Sequence, residues 1–221
     1  MPARLRRLLL AVPLLLVLLG FAGPAGSSAA TQFYAHTYFA SAYERQIDSR
    51  TCVAASTAMM MNIMNGHDMN FSQLTILRYA QKHDALNDAV QRGSDPLGWS
   101  LAASYFSQNT IRPTTYRWEA YDTESAALRR AATQIVRYGK AVGLLVKNGG
   151  HAVVMTGYTA TANPLKGPFK LTGIYYSDPL GPRHQYVTPG NSPLSKYLQT
   201  DATATYDRLW YGKYIVIVPH N

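Results

Sequence analysis

Between Cys52 and Met64 the chain reads CVAASTAMMMNIM, with no charge, no Gly, no Pro and apolar side chains on nearly every face. That pattern predicts a helix buried all round, stopped by Asn65-Gly66. A second helix is expected from Asn70, with Asn70 as cap and Gln73 as capping-box partner. Met69 and Leu74 would form its hydrophobic staple, and Lys82-His83 its end. Asp84–Gly98 reads as loop and Trp99–Ser107 as a short helix. A stronger helix opens at Asp122 or Thr123, where Leu128, Ala131, Ala132, Ile135 and Val136 share a face. Gly139 ends it.

Beyond Gly139 the period changes. Ala141–Val146 (AVGLLV), Ala152–Thr156 (AVVMT) and Leu171–Ser177 (LTGIYYS) read as strands. Asn148-Gly149-Gly150 is a turn signal that joins the first two as a hairpin. Pro179–Pro193 reads as loop, Ser192-Pro193 as the start of a short helix, and Tyr214–Val218 as a last strand. Thr31–Arg50 is expected to be an extended lead-in. Helices first and strands after predict an α+β domain on an antiparallel sheet, with the Cys52 helix packed centrally and the helices on one side.

Composition narrows the class. With 47% apolar and 15% charged residues, an intrinsically disordered chain is excluded. The first thirty residues stand apart. Arg4, Arg6 and Arg7 precede the greasy run Leu8–Phe21, and a small-residue stretch ends at Ser28-Ala29-Ala30. This is the pattern of a signal peptide cleaved after Ala30; the apolar run is shorter than the ~20 residues that span a bilayer. The expectation is residues 1–30 as signal peptide and 31–221 as one secreted domain, without stable membrane insertion. The net charge of +9 reads as a solvated surface. No Lys/Arg run is dense enough to track a phosphate backbone, so no nucleic-acid partner is expected.

The chain holds one cysteine. That excludes an internal disulfide framework and any zinc site built on two cysteines. Neither H-E-x-x-H, G-x-G-x-x-G, a P-loop nor G-x-S-x-G occurs, so no metal, no cofactor and no serine-hydrolase elbow is expected.

The lone Cys52 is either a small buried hydrophobe or a nucleophile. Its place at a helix start favours the second, since first-turn N–H groups stabilise a thiolate and can hold an oxyanion. Thr51 is the expected cap. A nucleophilic thiol wants a base, and His151 opens a strand after two glycines that leave its approach open. Asp178 ends a strand of the same sheet, where a carboxylate can orient an imidazole. Gln46, six residues before Cys52, supplies a candidate amide donor for an oxyanion.

The order Gln46, Cys52, His151, Asp178 resembles papain-like cysteine peptidases. The strings QIDSRTCVAASTAMMMN, KNGGHAVVMTGY and YYSDPLG are most similar to the bacterial double-glycine (bacteriocin-leader) peptidase-like family and its secreted relatives. The resemblance implies a papain-like fold with Cys52 as nucleophile, His151 as general base and then acid, and Asp178 as orienter. Gln46 and the Cys52 N–H would form the oxyanion hole. The implied activity is peptidase or amidase, and the implied partner is a peptide or protein, cell-wall peptide included. Relatives commonly carry Gly-Pro after the cysteine where Val53-Ala54 stand here. That departure keeps open a catalytically idle domain that binds peptides or wall polymers. A cell-wall amidase or acyl transferase on the same scaffold is the other alternative. Ser56 reads as packing.

Overall fold

A computed structural model describes residues 32–85, 93–199 and 207–221, the side chains of 207 and 208 excepted. The signal-peptide reading of residues 1–30 and residues 86–92 of the expected 84–98 loop lie outside these residues.

Seven strands form one sheet in which every pairing is antiparallel. They are β1 (Phe33–His36), β2 (Tyr116–Tyr121), β3 (Val142–Val146), β4 (His151–Ala160), β5 (Leu171–Ser177), β6 (Gln185–Val187) and β7 (Tyr214–Pro219). Their order is β2-β7-β3-β4-β5-β6. The long β4 pairs with β3 along His151–Met155 and with β1 beyond, from Gly157. The helices are α1 (Cys52–Asn65), α2 (Gln73–Lys82), α3 (Pro96–Ser107), α4 (Glu124–Tyr138) and a single turn, α5 (Asp207–Trp210). The fold is α+β and papain-like in class, as the sequence predicts.

One expectation is corrected: the helices do not share a side. On β3, β4 and β7, Leu145, Ala152, Val154, Ile215 and Ile217 join the core under α1–α3. Their neighbours Val142, Leu144, Val153, Met155, Val216 and Val218 join a second core under α4. A sheet covered on both faces reads as unbroken apolar runs such as AVGLLV rather than as alternation.

The buried Cys helix forms as expected. Every residue from Cys52 to Met64 is buried, and Gly66, at φ +78°, closes the helix by donating its N–H to Asn62 O. On β3 the close approach of α3 needs a glycine, because a Cβ on Gly143 would fall 2.5 Å from the Trp99 ring.

Several boundaries move. Ser72, not Asn70, caps α2, its hydroxyl accepting from Thr75 N. Leu74 is 40% exposed, so the staple does not form. Helix α3 starts inside the expected loop, because Asp95 accepts from Gly98 N and Pro96 takes the first turn. Thr123 caps α4 and Gly139 ends it. No helix starts at Ser192-Pro193; a 3-10 turn covers Pro189–Asn191, and Leu194, Lys196 and Tyr197 make isolated β-bridges instead. Strands β1, β2 and β6 are additional to those the sequence pattern predicts. Among the described residues no helix is long and apolar enough to cross a membrane.

Candidate active site

The site is built where the head of α1 meets the starts and ends of sheet strands. Cys52 is the first residue of α1 and is 8% exposed. No acidic residue occupies the first turn of α1, and Thr51 does not cap it. Its hydroxyl is spent on the preceding loop, accepting from Ile47 N and Asp48 N and donating to Asp48 O, each at 3.1 Å. The first-turn N–H groups around Cys52 therefore receive no side-chain cap. A bare helix start favours negative charge, here the sulfur or a developing oxyanion.

His151 is the first residue of β4, 3% exposed. The turn before it is strained. Lys147 and Asn148 adopt positive φ (51° and 58°), followed by Gly149 at +88°. The glycine does not open an approach path, as the sequence implied. A Cβ there would meet the Tyr197 ring at 2.5 Å, so Gly149 is needed for packing and for its left-handed conformation.

Asp178 follows β5 directly. Its Oδ1 accepts from His151 Nε2 at 2.7 Å and from Leu180 N at 2.8 Å. The second bond is an Asx turn that fixes the carboxylate. Tyr43 Oη donates to the carbonyls of Asp178 and Gly181, 3.2 Å each, and clamps the same turn. Because Nε2 is taken by Asp178, Nδ1 is the ring nitrogen left for the thiol. Cys52 lies close enough to the imidazole to act on its protonation.

The electrostatics follow from that geometry. Burial alone would depress the protonation of His151. The hydrogen bonds to Asp178 and to Cys52, then the charges of the same two groups, override it and lift the ring to about 9. Asp178 is also penalised by burial. The bonds from His151 and Leu180, and the charges of His151 and Lys147, nevertheless hold its carboxyl below the ordinary carboxylate value.

Two of the four expected residues, His151 and Asp178, are thus bonded to each other, with Cys52 near enough to act on the ring. Gln46 is placed differently. It is buried, but its Nε2 donates to Asp48 O at 2.6 Å, and its Oε1 has no partner. One amide hydrogen is committed to the loop, leaving one for any other acceptor. Its backbone N–H bonds Pro179 O at 3.0 Å, which ties the loop before α1 to the Asp178 turn.

Residues that the motif reading missed hold this arrangement together. Gln73, expected only as a capping partner, donates to Arg45 O and accepts from Ile47 N, pinning the Gln46 loop to α2. Ser56, one turn below Cys52, donates to Ala152 O at 3.1 Å and joins the cysteine helix to the histidine strand. Its small polar side chain in an otherwise apolar stretch was the signal. Val53 and Ala54, which follow Cys52, are buried in a regular helix.

A family model, described as the Peptidase_C39 like family, matches residues 40–205. The match covers well over half of the chain, and the chain belongs to that family. With membership comes a cysteine-peptidase type of function. No curated protein matches it.

Proposed function

We propose that this protein is a secreted thiol hydrolase that cleaves peptide or amide bonds with Cys52, His151, Asp178 and Gln46. The observation that carries the reading is the 2.7 Å bond between His151 Nε2 and Asp178 Oδ1, which leaves the other ring nitrogen to the thiol.

The Sγ proton of Cys52 passes to His151, giving a thiolate beside an imidazolium. The thiolate attacks the substrate carbonyl carbon, and a C–S bond forms as the carbonyl electrons move to oxygen. The Cys52 N–H and the second amide hydrogen of Gln46 receive that oxyanion. As the intermediate collapses, His151 gives its proton to the leaving amine and the C–N bond breaks, leaving a thioester. Water, deprotonated by His151, then breaks the C–S bond and releases the acid. An amine in place of that water would make the same site an acyl transferase. Asp178 holds the imidazole in the tautomer that serves each proton transfer.

The test uses the single thiol. Iodoacetamide labelling followed by intact mass reports Cys52 alone, and a fluorogenic peptide set reports turnover. Rapid labelling near pH 6, lost in His151→Ala, together with turnover abolished in Cys52→Ala, is the expected result. Labelling that rises only near pH ~8.5, as for a free thiol, would assign the chain to the idle binding class. N-terminal sequencing of the exported protein checks the cut after Ala30.

A further inference from the structure

Three cations from three loops flank the Asp178 turn, and none is in an ion pair among the described residues. Arg183 follows that turn and lies over the Tyr43 ring, 5.4 Å from its centroid. Tyr43 in turn bonds the Asp178 and Gly181 carbonyls. Arg45, next to Gln46, is close enough for its charge to act on the same Tyr43 hydroxyl as that of Arg183. Lys147, in the strained turn before His151, acts on Asp178 itself. All three side chains are exposed.

The ion pairs among the described residues join Arg50 to Asp48, Arg130 and His220 to Glu119, His151 to Asp178 and Lys213 to Asp122. None involves Arg45, Lys147 or Arg183. Of the two acids beside Gln46, Asp48 is paired with Arg50 and Glu44 accepts from Asn62. In the working state the thiolate, imidazolium and carboxylate sum to one negative charge, so the rim around them keeps an excess of positive charge. Fields of this kind act over roughly a Debye length, ~8–10 Å, and raise the local concentration of anions at a cleft.

We infer that the Cys52–His151 site selects acidic peptides, with Arg183 and Arg45 reading a substrate carboxylate close to the scissile bond and Lys147 adding to the field. This rests on the reading of that site as a peptidase site. A guanidinium offers a carboxylate two parallel N–H donors, which gives position as well as attraction. The three cations come singly from separate loops, not as a run. That spacing suits isolated carboxylates on a short extended chain better than the repeated charges of a phosphate polymer.

The experiment uses the Cys52→Ala protein, which leaves substrate intact, and two dye-labelled peptides that differ only in Glu against Gln. Fluorescence polarisation at about 20 mM salt is expected to show the Glu peptide binding ~10-fold more tightly, with the advantage gone at about 500 mM. Arg183→Gln and Arg45→Gln should each cut Glu-peptide affinity ~3- to 10-fold and leave the Gln peptide unchanged. Lys166→Gln, an exposed cation between β4 and β5, should change neither. Equal binding of the two peptides, no binding of either, or an equal loss in Lys166→Gln overturns the inference. So does polyphosphate that binds tightly and is not displaced by the Glu peptide. Thiol labelling of the unmutated protein tests the peptidase reading separately: fast labelling with no acid preference sinks the selectivity alone.

Discussion

Asp178 Oδ1 receives two hydrogens at once, from His151 Nε2 at 2.7 Å and from Leu180 N at 2.8 Å. Both bonds need an acceptor oxygen in that place, which an amide also offers while it gives up the charge and the second acceptor oxygen. Asp178→Asn can keep the Oδ1 in position, whereas Asp178→Ala removes it. We expect kcat/KM to fall about 10-fold in the first and about 10²- to 10³-fold in the second. Equal losses would mean that charge, not orientation, is what Asp178 supplies.

Gln46 should matter less than a dedicated oxyanion donor, whose removal typically costs about 10²–10³ in rate. One of its amide hydrogens already goes to Asp48 O. Gln46→Ala is expected to lower kcat by about 10- to 10²-fold with KM little changed, while Cys52→Ala and His151→Ala abolish turnover. Steady-state kinetics on one peptide compares these variants directly with the unmutated protein, and a Gln46→Ala loss as complete as that of Cys52→Ala would refute a shared donor.

His151 gives the pH dependence a definite sign. Its folded value of about 9 lies above the ordinary 6.5, so the folded protein holds this proton more tightly than the unfolded chain does. Its contribution to stability is complete below pH 6.5 and is lost as pH rises through about 9. Asp178 remains ionised across that window. His151 therefore stays protonated across pH 6–8, and kcat/KM should decline on the alkaline side near 9. His151→Ala should slow labelling at pH 6 at least about 10-fold. An alkaline limb that survives in a slow but active Asp178→Ala variant without moving to lower pH would mean that Asp178 does not raise the His151 value.

How far the sequence could be read follows from what each segment's neighbours are. Helix α1 and strand β7 were legible because burial on every side leaves an uncharged run, and Gly66 and Gly139 stop helices by local geometry alone. Strand β2 was missed because its pattern, YRWEAY, is half exposed, and its partner β7 lies about a hundred residues further on. The face on which α4 packs was also hidden, since chain order does not say which side of a sheet a helix covers. At the site, the meeting of His151 and Asp178 was legible because one opens and the other follows a strand of the same sheet. Thr51 and Gln73 were misread as ordinary caps. Their real partners are loop N–H and carbonyl groups, set by tertiary contact and absent from any local pattern.

Ser56 offers a test of how the two halves of the site are held. Its hydroxyl donates to Ala152 O, adjacent to His151, across the boundary between α1 and β4. Ser56→Ala removes one buried hydrogen bond without adding volume, at a cost of about 1 kcal/mol, or roughly 2–4 °C in Tm for a unit of this size. If the bond also sets the distance between helix and strand, iodoacetamide labelling at pH 6 should slow as well. A Tm loss with unchanged labelling would limit Ser56 to stability.

His36 and His184 supply the opposite pH sign at the other end of β4. Their Nε2 atoms lie 2.8 Å apart, so one ring must donate and the other accept. His184 is stacked between Tyr38 and Tyr175, and His36 meets Tyr34, Tyr38 and Tyr175. Burial lowers the protonation of both rings, and the charge of His36 lowers that of His184 further. A second proton would set two N–H groups against each other. The folded state therefore binds fewer protons here than the unfolded chain, and the pair's stabilisation, full above pH 6.5, is lost as pH falls through the depressed folded values. Because His36 lies on β1 and His184 just before β6, that loss should free the lead-in from the strap beyond Asp178. Hydrogen exchange followed from pH 7.5 to 5, corrected for the intrinsic pH dependence of amide exchange, is expected to show reduced protection at Ala35 and His36, which pair with β4, with protection in α1 unchanged. His36→Gln should flatten that pH response, and an identical acid response in His36→Gln would show that other groups cause it.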